Sequence, residues 1–178
     1  MTRLMGVDCS TNSFAFSVFE DGKLVKWGEF SFGKGDIYHR INNANRVVTA
    51  SQDAGVLPDV DKVIFESATY IQNKQTVILL AYAFGAAISP LMKPGVEVDD
   101  VTPMTWQNFI GNKAFTKAEK DEFKKKHPGK KETWYKEQMR QWRKQRNIDF
   151  VKDKFDVDVD SDNIADAICV GWYGVNNV

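Results

Sequence analysis

The sequence has few of the residues that staple small secreted domains or bind zinc. It contains only two cysteines, Cys9 and Cys169, and two histidines, His39 and His127, in 178 residues. These numbers and spacings fit neither a disulfide framework nor a zinc site. Cys9 follows Asp8, but no histidine lies near it in the sequence to activate a thiolate. We therefore interpret Cys9 as a small apolar packing residue.

Long apolar runs are also missing. The first apolar stretch, residues 4–7, is far shorter than the apolar core of a signal peptide. No run approaches the roughly 18 apolar residues of a membrane span. We expect no membrane association and an intracellular, cytoplasmic location with both thiols reduced.

Net charge is absent overall but not locally. The chain carries 24 Lys and Arg against 24 Asp and Glu. Residues 113–146 hold 13 basic and 5 acidic residues, which leaves 11 basic and 19 acidic residues elsewhere. An acidic body with one basic segment is typical of metal-binding carboxylates beside a phosphate-binding surface. A solvated helix face explains the same charges equally well.

The pattern of apolar residues predicts a mixed sheet with helices on its faces. Strands are predicted at residues 3–9, 13–20, 24–32, 62–66 and 95–101, with an Asp-Gly hairpin turn at 21–22. Helices are predicted at 36–54, 73–92, 103–109 and 161–173. The polar segment 113–147 is split by Pro128 and Gly129 and predicts two inserted helices. With 43% apolar residues, the whole chain, 1–178, is predicted to form one domain.

Carboxylates stand at positions where an acid is costly. Asp8 ends the first predicted strand, Glu66 ends the fourth, and Asp162 and Asp166 share one face of the last helix. Each has an ordinary alternative, such as capping a turn or a helix or pairing with a lysine. Together they would repel one another unless a cation lay between them. Hard divalent ions with oxygen ligands, Mg²⁺ or Mn²⁺, fit such a cluster, and a pair of them can hydrolyse phosphodiesters.

Four motifs in order resemble the RuvC family of Holliday-junction resolvases, which have the ribonuclease-H-like fold. They are GVDCSTN at 6–12, VIFE at 63–66, VTP with a following Trp and Gly at 101–111, and DNIADAI at 162–168. The resemblance covers nearly the whole chain except the basic segment. It implies a five-stranded mixed sheet, a homodimer and Mg²⁺-dependent cleavage of branched DNA, with Mn²⁺ as a substitute. The small size and divergence suggest a bacteriophage-type member acting inside an infected host cell.

The resemblance assigns Asp8, Glu66 and Asp166 as metal ligands. For the fourth ligand two candidates stay open. Bacterial members place their two helix acids three residues apart, where this chain has Asn163, whereas Asp162 lies four residues from Asp166. The chain departs from the family again after Asp8, where Cys9 and Ser10 replace Pro-Gly.

DNA contacts are predicted in two regions. Tyr70 is the candidate for the aromatic residue that stacks at the junction centre, one position from the family's site, and Lys74 follows it. In the basic segment the predicted contacts are Lys124, Lys125, Lys126, Lys130, Lys131, Arg140 and Arg143. Trp134, Tyr135 and Trp142 either stack on unpaired bases or anchor the inserted helices, and packing is the better interpretation for two of the three. Helix 73–92 is the candidate dimer interface.

Other functions remain as alternatives. Residues 6–11 also resemble the first phosphate loop of sugar kinases and actin-like ATPases, but 178 residues leave no room for their second lobe. A nuclease of the same fold that cuts flaps or RNA–DNA hybrids fits the same acids. A non-catalytic junction-binding relative is disfavoured by Asp8, Glu66 and Asp166.

Overall fold

The computed structural model describes residues 1–67 and 74–177, and its centre is a five-stranded mixed sheet. The strands are β1 Arg3–Cys9, β2 Ser13–Glu20, β3 Lys23–Ser31, β4 Lys62–Glu66 and β5 Glu97–Val101. Their order is β3-β2-β1-β4-β5. The pairs β1–β2 and β2–β3 are antiparallel, whereas β1–β4 and β4–β5 are parallel. The predicted α/β fold with a mixed five-stranded sheet is confirmed.

The hairpin between β2 and β3 follows from its turn residues. Asp21 and Gly22 both have positive φ, 47° and 80°. Two consecutive positive φ angles match the twist of the flanking strands, and Asp-Gly tolerates them better than most pairs. The predicted hairpin at residues 21–22 is therefore confirmed.

Six α-helices surround the sheet in the described ranges. They are α1 Ile37–Asp53, α2 Lys74–Ile88, α3 Pro103–Phe109, α4 Lys117–Lys126, α5 Glu132–Phe155 and α6 Asp162–Asn177. One core lies between the sheet and α1 and α2, and includes Val7, Phe16, Val48 and Ile88. The other lies between the opposite face and α3, α5 and α6, and includes Leu4, Ile64, Trp106 and Ile168.

Three helix boundaries differ from those predicted. The helix predicted to Met92 ends at Ile88 and continues as a 3₁₀ turn, Ser89–Leu91, because Pro90 cannot donate a helical hydrogen bond. The last helix continues past Tyr173 to Asn177. The second inserted helix does not stop near residue 147. It runs unbroken to Phe155, so α5 belongs to both the basic segment and the core.

Helix α6 lies unusually close to β1. A Cβ atom added to Gly6 would lie 2.4 Å from the backbone nitrogen of Gly171 and 2.5 Å from the carbonyl oxygen of Ala167. The hydroxyl of Ser17 on β2 donates to the same Ala167 oxygen at 2.8 Å. The absence of a side chain at Gly6 therefore sets the separation between the strand that carries Asp8 and the helix that carries Asp166.

Candidate active site

Two predicted acids occupy the sheet face that α6 covers, and a third lies on α6 itself. Alternation along β1 puts Leu4, Gly6 and Asp8 on that face, and β4 puts Ile64 and Glu66 there. Strands β1 and β4 are parallel neighbours with Val7 paired to Phe65, so the residues that follow, Asp8 and Glu66, lie side by side. Asp166 lies on α6, which packs on this face, and its charge raises the pKa of Asp8. We call Asp8, Glu66 and Asp166 the acidic triad.

Two hydrogen bonds hold the acidic triad from behind. Trp106, fully buried on α3, donates its indole Nε1 to Oε2 of Glu66 at 2.7 Å. Asn147 of α5 donates its amide to Oδ1 of Asp166 at 2.7 Å. Asn147 is oriented in turn by the buried Asn112, which donates to its Oδ1 at 2.6 Å. Both donors are neutral, so they orient the carboxylates without cancelling their charge.

The environment disfavours ionisation of the acidic triad. Burial and then the charges of Glu66 and Asp166 raise the pKa of Asp8 well above its ordinary value. Burial and Glu66 raise the pKa of Asp166 to about 7. Burial also raises the pKa of Glu66, against the hydrogen bond from Trp106. Closely spaced carboxylates repel one another when they are ionised, and a cation bound between them relieves this repulsion.

The donor set fits a hard divalent cation by its chemistry. All three members offer carboxylate oxygens, the ligands that Mg²⁺ and Mn²⁺ prefer. The side-chain carboxylate of Asp8 accepts no hydrogen bond from any residue in the described ranges 1–67 and 74–177. Within those ranges no three acidic, histidine or cysteine side chains stand close enough to enclose a metal as they are placed. The side chains that would hold the ion are Asp8, Glu66 and Asp166.

The two candidates for a fourth ligand have other partners. Asp162 forms an ion pair with Lys144 of α5. Asn163 donates its side-chain amide to Oε1 of Glu29 at 2.7 Å and approaches the hydroxyl of Ser13 at 3.4 Å. The two side chains leave α6 in different directions, Asp162 towards α5 and Asn163 towards β2 and β3.

Several residues of the site were not predicted. Glu29, Asn112 and Asn147 belong to no motif, and Trp106 enters the sequence analysis only through the motif at 101–111. Lys144 belongs to the basic segment, and nothing in the sequence indicates its pairing with Asp162. The one usable signal in the sequence was the alternation of β3, which separates Glu29 from Phe30 onto opposite faces.

The aromatic residues of the basic segment pack mainly on one another. Phe123 of α4 stacks on Trp134 with centroids 5.9 Å apart and meets Trp142 at 4.6 Å. Tyr135 is buried, and its hydroxyl donates to the carbonyl of His127. Trp142 keeps 45% of its surface exposed. These contacts favour the packing interpretation for Trp134 and Tyr135.

The predicted DNA-binding residues fall into two groups. Arg140 and Arg143 line a cleft of about 370 Å³ that also contains Lys144, Asn147 and Asp166. The other five lie at the far end of α4 and the start of α5, namely Lys124, Lys125, Lys126, Lys130 and Lys131. Of these, Lys124 pairs with Glu132 and Lys126 with Glu122, while Lys130 lies over the ring of Trp134. Tyr70 and the side chain of Lys74 lie outside the described part of the chain.

The raised pKa of Asp166 predicts a pH dependence of the metal-free protein. Its ordinary value is about 3.9, so between about pH 4 and 7 the folded state holds a proton that the unfolded chain has lost. The free energy of unfolding contributed by Asp166 is therefore largest below about pH 4 and falls as the pH rises through that window. Urea unfolding in chelator measures the free energy of unfolding at pH 4.5 and at pH 7.5. The decrease between the two pH values should be smaller in Asp166→Asn than in the unmodified protein. An equal decrease in both proteins would contradict this prediction. The control is Asp53→Asn, which replaces an exposed acid on α1.

The strand order and the helices on both faces of the mixed sheet define a ribonuclease-H-like α/β fold. Among solved structures the fold is that of RuvC. Thermus thermophilus RuvC in complex with a Holliday junction substrate matches with a TM-score of 0.66 and 12% identity, covering 99% of this chain and 97% of that one. A second Thermus thermophilus RuvC structure matches with a TM-score of 0.62 and 13% identity, over 97% and 95%.

A viral protein has the same architecture. The Fowlpox virus resolvase, solved with Holliday junction DNA, matches with a TM-score of 0.53 and 15% identity over 98% of this chain and 97% of that one. No family model and no curated protein matches the sequence. At these identities the similarity establishes the fold, and the predicted resemblance to RuvC is confirmed at that level. In the described residues, no helix has the length and apolarity needed to cross a membrane.

Proposed function

We propose that this protein is a divalent-metal-dependent endonuclease that cleaves four-way DNA junctions. The observation that carries the proposal is that Asp8 and Glu66 share one sheet face opposite Asp166 of α6. Burial raises the pKa of all three, and neighbouring acids raise the pKa values of Asp8 and Asp166 further. The structural neighbours that were solved with Holliday junctions support branched DNA as the substrate.

The roles of the residues follow from their contacts. The acidic triad would hold Mg²⁺ or Mn²⁺, which supplies activation of water and stabilisation of the leaving oxygen when bound. Trp106 and Asn147 keep Glu66 and Asp166 oriented. The cleft beside Asp166 presents Arg140 and Arg143, whose guanidinium groups suit the phosphates of a strand entering the site.

The test is cleavage of a synthetic four-way junction beside linear duplex, a flap and an RNA–DNA hybrid, with Mg²⁺, with Mn²⁺ and with chelator. Symmetric nicks across the junction that require the metal are the expected result. Cleavage of only the flap or the hybrid would keep the chemistry and replace the substrate. Tight junction binding without cleavage under any metal would reject the enzymatic proposal.

The basic segment should contribute to junction affinity through phosphate contacts. Lys125 has no ion-pair partner in the described part of the chain, and Arg140 lines the cleft beside Asp166. Each phosphate contact contributes about 0.9 to the slope of log affinity against log salt concentration. The double substitution Lys125→Ala/Arg140→Ala should therefore lower that slope by about 2 and weaken binding at low salt.

The control for this measurement is Lys93→Ala. Lys93 pairs with Asp59 near the start of β4, at the end of the strand opposite to Glu66. Its removal should leave the slope unchanged. An unaltered slope in the double variant would mean that the basic segment does not bind the junction.

We also propose that the protein is a homodimer joined through α2. Val77, Ile78 and Tyr82 are large apolar residues on this helix that are 37%, 43% and 55% exposed. On the same helix, a Cβ added to Gly85 would meet nothing within 4 Å, so Gly85 leaves room for a second helix to approach. A four-way junction has two-fold symmetry, and a dimer supplies two matching sites.

Charge placed on this helix should separate the subunits. Ile78→Glu/Tyr82→Glu would bury unpaired carboxylates in the interface and raise the dimer dissociation constant by about 100-fold. Sedimentation velocity over a concentration series measures the change. Val25→Glu, at a residue of similar exposure (45%) on β3, should leave the dissociation constant unaltered. A protein that is monomeric before substitution would refute the dimer.

A further inference from the structure

Glu29 lies in the same cross-strand row as Asp8. Strand register pairs Asp8 with Ala15 and Ala15 with Glu29. Directly paired residues project from the same face of a sheet, so all three face α6. The residue between the two acids is a buried alanine, and no bulky side chain separates them in the row.

Two donors at the start of α6 fix the Glu29 carboxylate. Ser161 donates its hydroxyl to Oε2 at 2.6 Å, and Asn163 donates its amide to Oε1 at 2.7 Å. Burial acts to raise the pKa of Glu29, but hydrogen bonds from Ser161, Asn163 and Ser13 outweigh it and hold the pKa below its ordinary value. Glu29 therefore carries a negative charge at neutral pH, and that charge raises the pKa of Asp8 further.

Asp162, the other acid at the start of α6, has a different partner. Asp162 is paired with Lys144, so its charge is compensated by α5. Asn163, the neutral residue three positions before Asp166, is in direct hydrogen-bond contact with Glu29. Glu29 thus brings a negative charge from β3 to the start of α6, where Asn163 holds it.

We propose that Glu29 supplies the fourth negative charge beside the acidic triad, positioned by Asn163, and that Asp162 does not have this role. The proposal rests on the proposed function, because it requires the acidic triad to bind a divalent cation. Outer partners that orient metal ligands commonly change metal affinity by about 10–100-fold when they are removed. A charge lost from the site should have an effect in the same range.

Mn²⁺ binding in the absence of DNA tests this directly. Calorimetric or electron-paramagnetic titration of the whole protein should show affinity about 10–100-fold weaker in Glu29→Gln. Asp162→Asn should change affinity by less than about twofold, since that charge is already paired with Lys144. Circular dichroism in chelator checks that both variants remain folded.

A double substitution that moves the negative charge should restore Mn²⁺ affinity. In Glu29→Gln/Asn163→Asp the negative charge moves from β3 to the helix, three residues before Asp166. Mn²⁺ affinity should return to within a few-fold of the unmodified protein, which a merely structural role for Glu29 would not produce.

The outcomes separate the two proposals. Unchanged affinity in Glu29→Gln, or an equal loss in Asp162→Asn, would overturn the assignment of Glu29 while leaving the metal-dependent nuclease intact. A folded Glu29→Gln that is not rescued by Asn163→Asp would also count against it. If the unmodified protein binds no Mn²⁺, both proposals fail.

Discussion

Asp8→Asn should abolish junction cleavage and leave junction binding intact. The substitution removes the carboxylate at the centre of the acidic triad, on which Glu66, Asp166 and Glu29 all act. Metal ions contribute several kcal/mol to phosphodiester hydrolysis, and each 1.36 kcal/mol is tenfold in rate. We expect the cleavage rate to fall by about a thousand-fold or more, measured in single-turnover reactions.

The same change should stabilise the metal-free protein. Asp8 is held with its pKa raised by burial and neighbouring acids, so its ionised form is unfavourable in the folded state. Asparagine keeps the shape and loses the charge. Thermal unfolding in chelator at pH 7 should move to higher temperature, while Asp53→Asn should alter neither rate nor stability. Residual cleavage above about a tenth of the original rate would remove Asp8 from the site.

Gly6→Ala should strongly destabilise the protein. The new methyl group would lie 2.4–2.5 Å from backbone atoms of α6. Because these contacts are with backbone, no flexible side chain can move aside to make room. Overpacking of this kind costs about 1–3 kcal/mol and more where backbone must shift. We expect the free energy of unfolding to fall by about 3 kcal/mol. Cleavage should fall too, since β1 and α6 carry Asp8 and Asp166.

Gly28→Ala is the matched control in another strand. There the added methyl would meet only the ring of Phe16, at 3.1–3.3 Å, and a side chain can give way by a few tenths of an ångström. The expected change is under about 1 kcal/mol. Urea unfolding of both variants measures the difference. Equal decreases in the free energy of unfolding for Gly6→Ala and Gly28→Ala would mean that β1 and α6 lie farther apart than the structure shows.

Much of the fold could be predicted because its signals are local. The Asp21–Gly22 turn and the apolar strand ending in Glu66 each depend on a few neighbouring residues. The acids Asp8, Glu66 and Asp166 stand out because carboxylates are rare beside buried apolar residues.

The remaining parts depend on long-range register and on helix rotation. Glu29 reaches the site only because β2 aligns Ala15 with both it and Asp8. The choice between Asp162 and Asn163 depends on how α6 is turned against α5 and β3, which sequence spacing does not fix. The end of α5 was misplaced because the change from polar to apolar residues near residue 147 occurs within one continuous helix.

The continuity of α5 has a consequence for the size of the substrate. From its first residue, Glu132, to Asn147 beside Asp166, the helix advances about 22 Å at 1.5 Å per residue. Successive phosphates along one DNA strand advance 3.4 Å along the helix axis, so this length corresponds to about six or seven nucleotides. Because α5 is continuous, its first residue is held at a fixed distance from the acidic triad. If the protein binds junctions as proposed, Lys130 and Lys131 at the start of α5 would meet phosphates only on arms longer than about seven base pairs.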